Sequence, residues 1–152
     1  MTAFFIALHA LAAAIWVGGM FFAYVVLRPS VASLAAVERA ALWEGVLGRF
    51  FVWVGAAVLV LLVSGYWLVL VSLGGLAAAG MHVHLMQLTG WLMFLLFGHL
   101  VAVPWRRFRR ARAAGDTAGA GRWLAQIRTI VLANLLLGLV TIALGASGRF
   151  WG

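Results

Sequence analysis

The stretch AFFIALHALAAAIWVGGMFFAYVVL, residues 3 to 27, decides the fold. It holds no Lys, Arg, Asp or Glu, and at about 1.5 Å rise per residue it is long enough to cross the roughly 30 Å hydrocarbon core of a bilayer. Three more stretches read the same way, at about 50–73, 82–105 and 128–148; only the last touches a charge, Arg128 at its start. Around them the composition agrees: 66% of the 152 residues are hydrophobic and 9% charged, too few charges to cover the surface of a soluble domain. None of the apolar runs alternates with period two, which argues against a β-barrel. The expectation is an all-α, four-helix transmembrane bundle forming a single membrane domain over residues 1–152. Zero cysteines remove disulfides, thiolate catalysis, iron–sulfur clusters and covalent haem attachment, leaving His and Met as the soft ligands.

The first run lacks a basic leader and is longer than the apolar part of a signal peptide, so it reads as a spanning helix. Arginines set the orientation. Arg106, Arg107, Arg109, Arg110, Arg112 and Arg122 crowd residues 106–127 against the single acid Asp116, which predicts a cytoplasmic arginine-rich loop. With four spans, the 28–49 connection falls on the same side, and both termini and the 74–81 turn lie outside. The expected location is a bacterial inner membrane. The net charge of +8 then follows from topology and from anionic lipid heads. No aromatic-interleaved soluble module accompanies it, so nucleic acid is not an expected partner.

An internal repeat runs through the chain. His9, Trp16 and Pro29 match His84, Trp91 and Pro104 as H-x6-W-x12-P, at a constant offset of 75 residues. The segment from Ser64 to Trp67 finds a weaker echo in Ser147 to Trp151. Two helix hairpins in the same orientation make a parallel repeat about an axis along the membrane normal. His9 and His84 then come to similar depth toward the outer face.

Intramembrane ionisable groups are costly and mark functional sites. Here the spans contain no carboxylate, so the chemistry rests on imidazole. Two converging neutral imidazoles suit bis-axial ligation of haem b, which predicts His9 and His84 as iron ligands. At about 100° per residue, His84, Gln87, Trp91, Leu95 and Gly98 share one stripe, and His9, Ala13, Trp16 and Met20 another. Trp16 and Trp91 would flank the macrocycle, Gly18, Gly19 and Gly90 would allow close approach, and Arg149 would pair with a propionate. His99 lies deeper, with Asn134 as its expected polar partner. A copper reading competes at MHVHLM, where Met81, His82, His84 and Met86 offer thioether and imidazole ligands suited to Cu(I). Helical alternation splits these four, so they form a compact site only if the helix begins after them.

ALHALAAAIWVGGMFF resembles the opening helix of the CopD and HemJ group of four-helix membrane proteins, and MHVHLM resembles the MHLKL segment of HemJ-type proteins. The resemblance implies haem b between helices one and three, with His9 as the family histidine. His84 stands where HemJ-type protoporphyrinogen oxidases have an essential lysine, and this chain has no lysine. CopD-like members imply copper resistance or uptake. The function expected is that of a b-type cytochrome passing electrons to a quinone, a small oxidant or a redox partner, a membrane haem oxidoreductase if it is an enzyme at all. The alternatives are CopD-like copper handling and HemJ-like protoporphyrinogen oxidation. Lipid-facing aromatic residues leave homo-oligomerisation open.

Overall fold

The structure, a computed structural model, describes residues 1–151, with Arg149 described by its backbone alone. Among the described residues, four helices are long and apolar enough to cross a membrane: α1, Thr2–Ser30; α2, Ala36–Ser72; α3, Met81–Ala113; and α4, Thr117–Ser147. No strand occurs among the described residues. The fold is the expected four-helix transmembrane bundle. Apolar side chains such as Val52, Leu59, Val63 and Leu95 are exposed on its outside, where the surrounding lipid is as apolar as they are.

The helices outrun the apolar stretches. α2 begins at Ala36 and α3 continues to Ala113, so most of the 106–127 segment is helix rather than loop. The reason is local: RRFRRARA is rich in Arg and Ala, both strong helix formers, and contains no breaker. Glu44 of α2 also ties this extension down, pairing with Arg112 at 2.7 Å and Arg109 at 3.5 Å. The turn comes only where Gly115 takes a left-handed conformation at φ 71°. Asp116 then caps α4, its Oδ1 accepting from the Gly119 backbone N–H at 2.7 Å.

The two repeat prolines have matching structural consequences. A proline inside a helix lacks the amide proton and crowds the carbonyl one turn back, so the backbone widens into π turns. Such turns occur at Phe22–Leu27, just before Pro29, and at Val101–Trp105, around Pro104, and a third, Leu68–Ser72, forms without a proline. At the opposite end Gly74 and Gly75, both at positive φ, let the chain reverse between α2 and α3.

Packing pairs α1 with α2 and α3 with α4, and α4 also lies against α1. Small residues allow the close approaches. A Cβ on Gly138 of α4 would stand 2.7 Å from Val17 and 3.1 Å from Met93, and one on Gly145 would stand 2.9 Å from Met86. Phe108, Leu100 and Ile127 are almost wholly buried, so the arginine end of the bundle is filled. Asn134, also buried, donates from Nδ2 to the Met93 carbonyl at 3.4 Å. His99 is exposed, so the expected pairing of Asn134 with His99 is replaced by a side chain to backbone bond between α4 and α3.

Candidate functional site

Toward the histidine end the four helices diverge around a cavity of about 240 Å³. His9, Ala13 and Trp16 of α1 line it, with Gly65 and Tyr66 of α2, Met86, Gln87, Gly90, Trp91 and Met93 of α3, and Gly138 and Thr141 of α4. The walls are overwhelmingly apolar, and His9 is the one imidazole on them.

The His9 ring is held against α2. Its Nδ1 lies 2.8 Å from Ser64 Oγ, and its Cε1 would be 3.2 Å from a Cβ at Gly65, so the missing side chain gives the imidazole its place. The single Ser64 hydroxyl proton is donated to the Val60 carbonyl at 2.6 Å. With the hydroxyl proton so placed, Ser64 Oγ accepts from His9 Nδ1–H and the Nε2 lone pair is free. That is the arrangement by which an outer partner orients a metal-binding imidazole.

Aromatic rings close the floor. Trp16, almost fully buried, stacks on Phe94 with centroids 5.7 Å apart and planes within 5°. Phe97 meets Trp16 edge-on at 6.0 Å, and Phe51 links Phe97 to Trp105. Across the mouth, Trp91 Nε1 donates to the Tyr66 hydroxyl at 3.3 Å, joining α3 to α2. On the α4 side the Thr141 hydroxyl lies 2.7 Å from Thr89 Oγ1 and 4.0 Å from the Met93 sulfur.

Of the residues singled out in the sequence, the structure brings His9, Trp16, Gln87, Trp91 and Met86 to one cavity. His84 is exposed and does not line it. The helix begins at Met81, so the four ligand candidates of MHVHLM are all helical and are not brought together. Met81 is 68% exposed, and His82 packs against Gly148 with its ring 6.4 Å from that of Trp151. Met86 alone of the four lines the cavity. The Arg149 side chain lies outside the described residues, and with it the expected propionate pairing. Gly19 faces the Phe50 ring instead of the cavity.

Ser64, Tyr66, Met93 and Thr141 were not foreseen as members of the site. A signal existed for two of them: Ser64 is the polar residue in the repeated segment closing the second helix, and Met93 lies seven residues from Met86, on the same helical face. Among the described residues there is no group of three or more His, Asp or Glu that could hold a metal. The soft donors beside His9 on the cavity wall are the thioethers of Met86 and Met93.

Comparison with protein families matches residues 44–147 to copper resistance protein D, CopD, which is more than half of the chain. The chain belongs to the CopD family. Searches of curated proteins and of solved structures return no match. The matched region holds α3, α4 and most of α2, and so all the cavity residues except those of α1. His9 and Trp16 enter the site from outside it.

Proposed function

We propose that this CopD-family protein binds copper(I) in the cavity at the histidine end of the bundle, with His9 Nε2 and the Met86 thioether as ligands. The observation that carries the reading is that the one imidazole on the cavity wall has its Nδ1 2.8 Å from Ser64 Oγ, leaving Nε2 without that partner, and shares the cavity with two thioethers, Met86 and Met93. Imidazole with thioether is a soft donor set, suited to copper(I) and poorly suited to hard cations. Met93 is a second thioether station deeper in the cavity. By the positive-inside rule the arginine-rich end would face the cytoplasm and this end the outside. The aromatic floor closes the cavity beneath His9, so this conformation serves capture and holding of the ion, and release toward the arginine end requires the rings around Trp16 to part.

Haem b is the second reading, and the free Nε2 of His9 between Trp16 and Trp91 favours it. As it stands, however, the cavity does not fit the group. At about 240 Å³ it falls below the roughly 300–1,000 Å³ usual for drug-sized ligands, and a porphyrin is larger still. A bis-histidine centre, and with it electron transfer to a quinone or redox partner, also requires α3 to turn until His84 faces inward.

The two readings separate in one preparation of the full-length protein in detergent. A copper(I) titration against a chromophoric chelator is expected to give one site per chain, weakened at least tenfold by His9→Ala and by Met86→Leu and left unchanged by His84→Ala. A Soret band in the protein as isolated, lost in His84→Ala, would replace copper with haem.

A further inference from the structure

A second, smaller pocket lies at the arginine end, between α1, α2 and α4. Arg28 and Tyr24 of α1, Trp43 of α2 and Arg128 of α4 border it. Two covered donors on the residues that border it lack acceptors. Trp43 is 4% exposed, yet its indole Nε1 has no hydrogen-bond acceptor, and the buried Nε of Arg128 has none either. Burying donors without acceptors is costly, so each such group calls for an explanation. The charges are uncompensated as well. Arg28 and Arg39 act on Arg128 with charge of its own sign. The ion pairs among the described residues are those of Glu44 with Arg109 and Arg112, which leave all three without an acid. Arg39 is partly occupied by the Ala32 and Leu34 carbonyls, whereas Arg28 and Arg128 lie over the rings of Tyr24 and Trp43 at 4.9 and 6.0 Å.

We infer that this pocket binds the phosphate of an anionic membrane lipid, with Arg28 and Arg128 as its counter-charges and the Trp43 N–H as a donor to one phosphate oxygen. The volume, about 20 Å³, admits one oxygen-sized group, so the phosphate sits at the mouth with a single oxygen inserted. The position specifies the source. Arg28 is the first charge after the uncharged run 3–27, and Arg128 is the last charge before the uncharged run 129–148. Both therefore mark the level where hydrocarbon gives way to head groups, and Leu47, Ile127 and Val131 continue the pocket wall as apolar surface. Basic pockets between spanning helices at that level suit lipid phosphates, whereas a free anion has no reason to prefer it.

The test uses the full-length protein in neutral detergent, with lipid binding counted by native mass spectrometry. Phosphatidylglycerol is expected to bind at least tenfold more tightly than phosphatidylcholine. Arg128→Gln is expected to weaken phosphatidylglycerol about tenfold, and Trp43→Phe, which keeps the ring and removes only the donor, about fivefold. Arg110→Gln, on the exposed arginine surface, is expected to leave it unchanged. Equal binding of the two lipids, or equal effects of all three substitutions, would overturn the assignment. So would millimolar inorganic phosphate displacing phosphatidylglycerol from the wild-type protein, since the pocket would then be a site for a free anion.

Discussion

The two hairpins share the π turns beside their prolines and differ in what they turn inward. Pro29 and Pro104 each sit beside or within a π-helical turn, and α1 and α3 run in the same direction. At the histidine end, α1 packs His9 against Gly65 and Ser64, while α3 packs Met86 against Gly145 and leaves His84 exposed. Trp16 is 2% exposed and its repeat partner Trp91 is 45% exposed. The difference lies in helix rotation, and the partner helices set it. Gly138 and Gly145 on α4 open notches into which Met93 and Met86 fit, which turns the Met86, Gly90 and Met93 face of α3 inward. His84 is left about one residue's rotation beyond the edge of that face, past Trp91. The repeat in sequence is therefore matched in the π turns beside its prolines but not in which side chains the helices present, because presentation follows from the neighbouring helix.

The largest test of that asymmetry is the tryptophan pair. Trp16→Ala empties a buried ring site stacked on Phe94 and should lower stability by about 3 kcal/mol, the low end for such truncations because the bilayer supplies little transfer penalty. Trp91→Ala should cost less than about 1 kcal/mol, its loss confined to the Tyr66 bond and one edge contact with Phe94. Unfolding in mixed micelles compares the two, and equal costs would mean that the halves are packed alike.

A second contrast lies among the glycines of the α3–α4 interface. Gly138→Ala forces Val17 and Met93 aside and should destabilise by about 1–3 kcal/mol, whereas Gly90→Ala, with nothing within 4 Å of the new methyl, should be neutral or better. The same unfolding assay reads both. The smallest effect sharpens the role of the α1 hairpin: Ser64→Ala keeps His9 in the cavity but releases its tautomer, and should weaken copper(I) about tenfold without changing the stoichiometry. An unchanged affinity would show that Ser64 does not orient the ring.

These contrasts also explain what the sequence could disclose. The four spans were legible because charge is excluded from hydrocarbon, and the runs without Lys, Arg, Asp or Glu delimit them. Helix ends were not, because the Arg and Ala residues of 106–113 extend a helix as readily in water as Leu does in lipid. His9 was legible as an isolated polar group in an apolar helix. The inward face of α3 was not. That helix is apolar on every side, so the stripe containing His84, Gln87 and Trp91 stood out only by its polar residues, and nothing in the pattern registered the glycine notches on α4 that turn Met86 inward. The Ser64 contact depends on two residues 55 apart meeting across a hairpin, which no local spacing encodes.

Copper K-edge X-ray absorption on the copper(I)-loaded full-length protein tests the asymmetric site most directly. An imidazole on α1 and a thioether on α3 predict a spectrum with both nitrogen and sulfur scattering, the sulfur shell disappearing in Met86→Leu and the imidazole signature in His9→Ala. A copper centre with two imidazoles and no sulfur, changed by His84→Ala and indifferent to Met86→Leu, would contradict it.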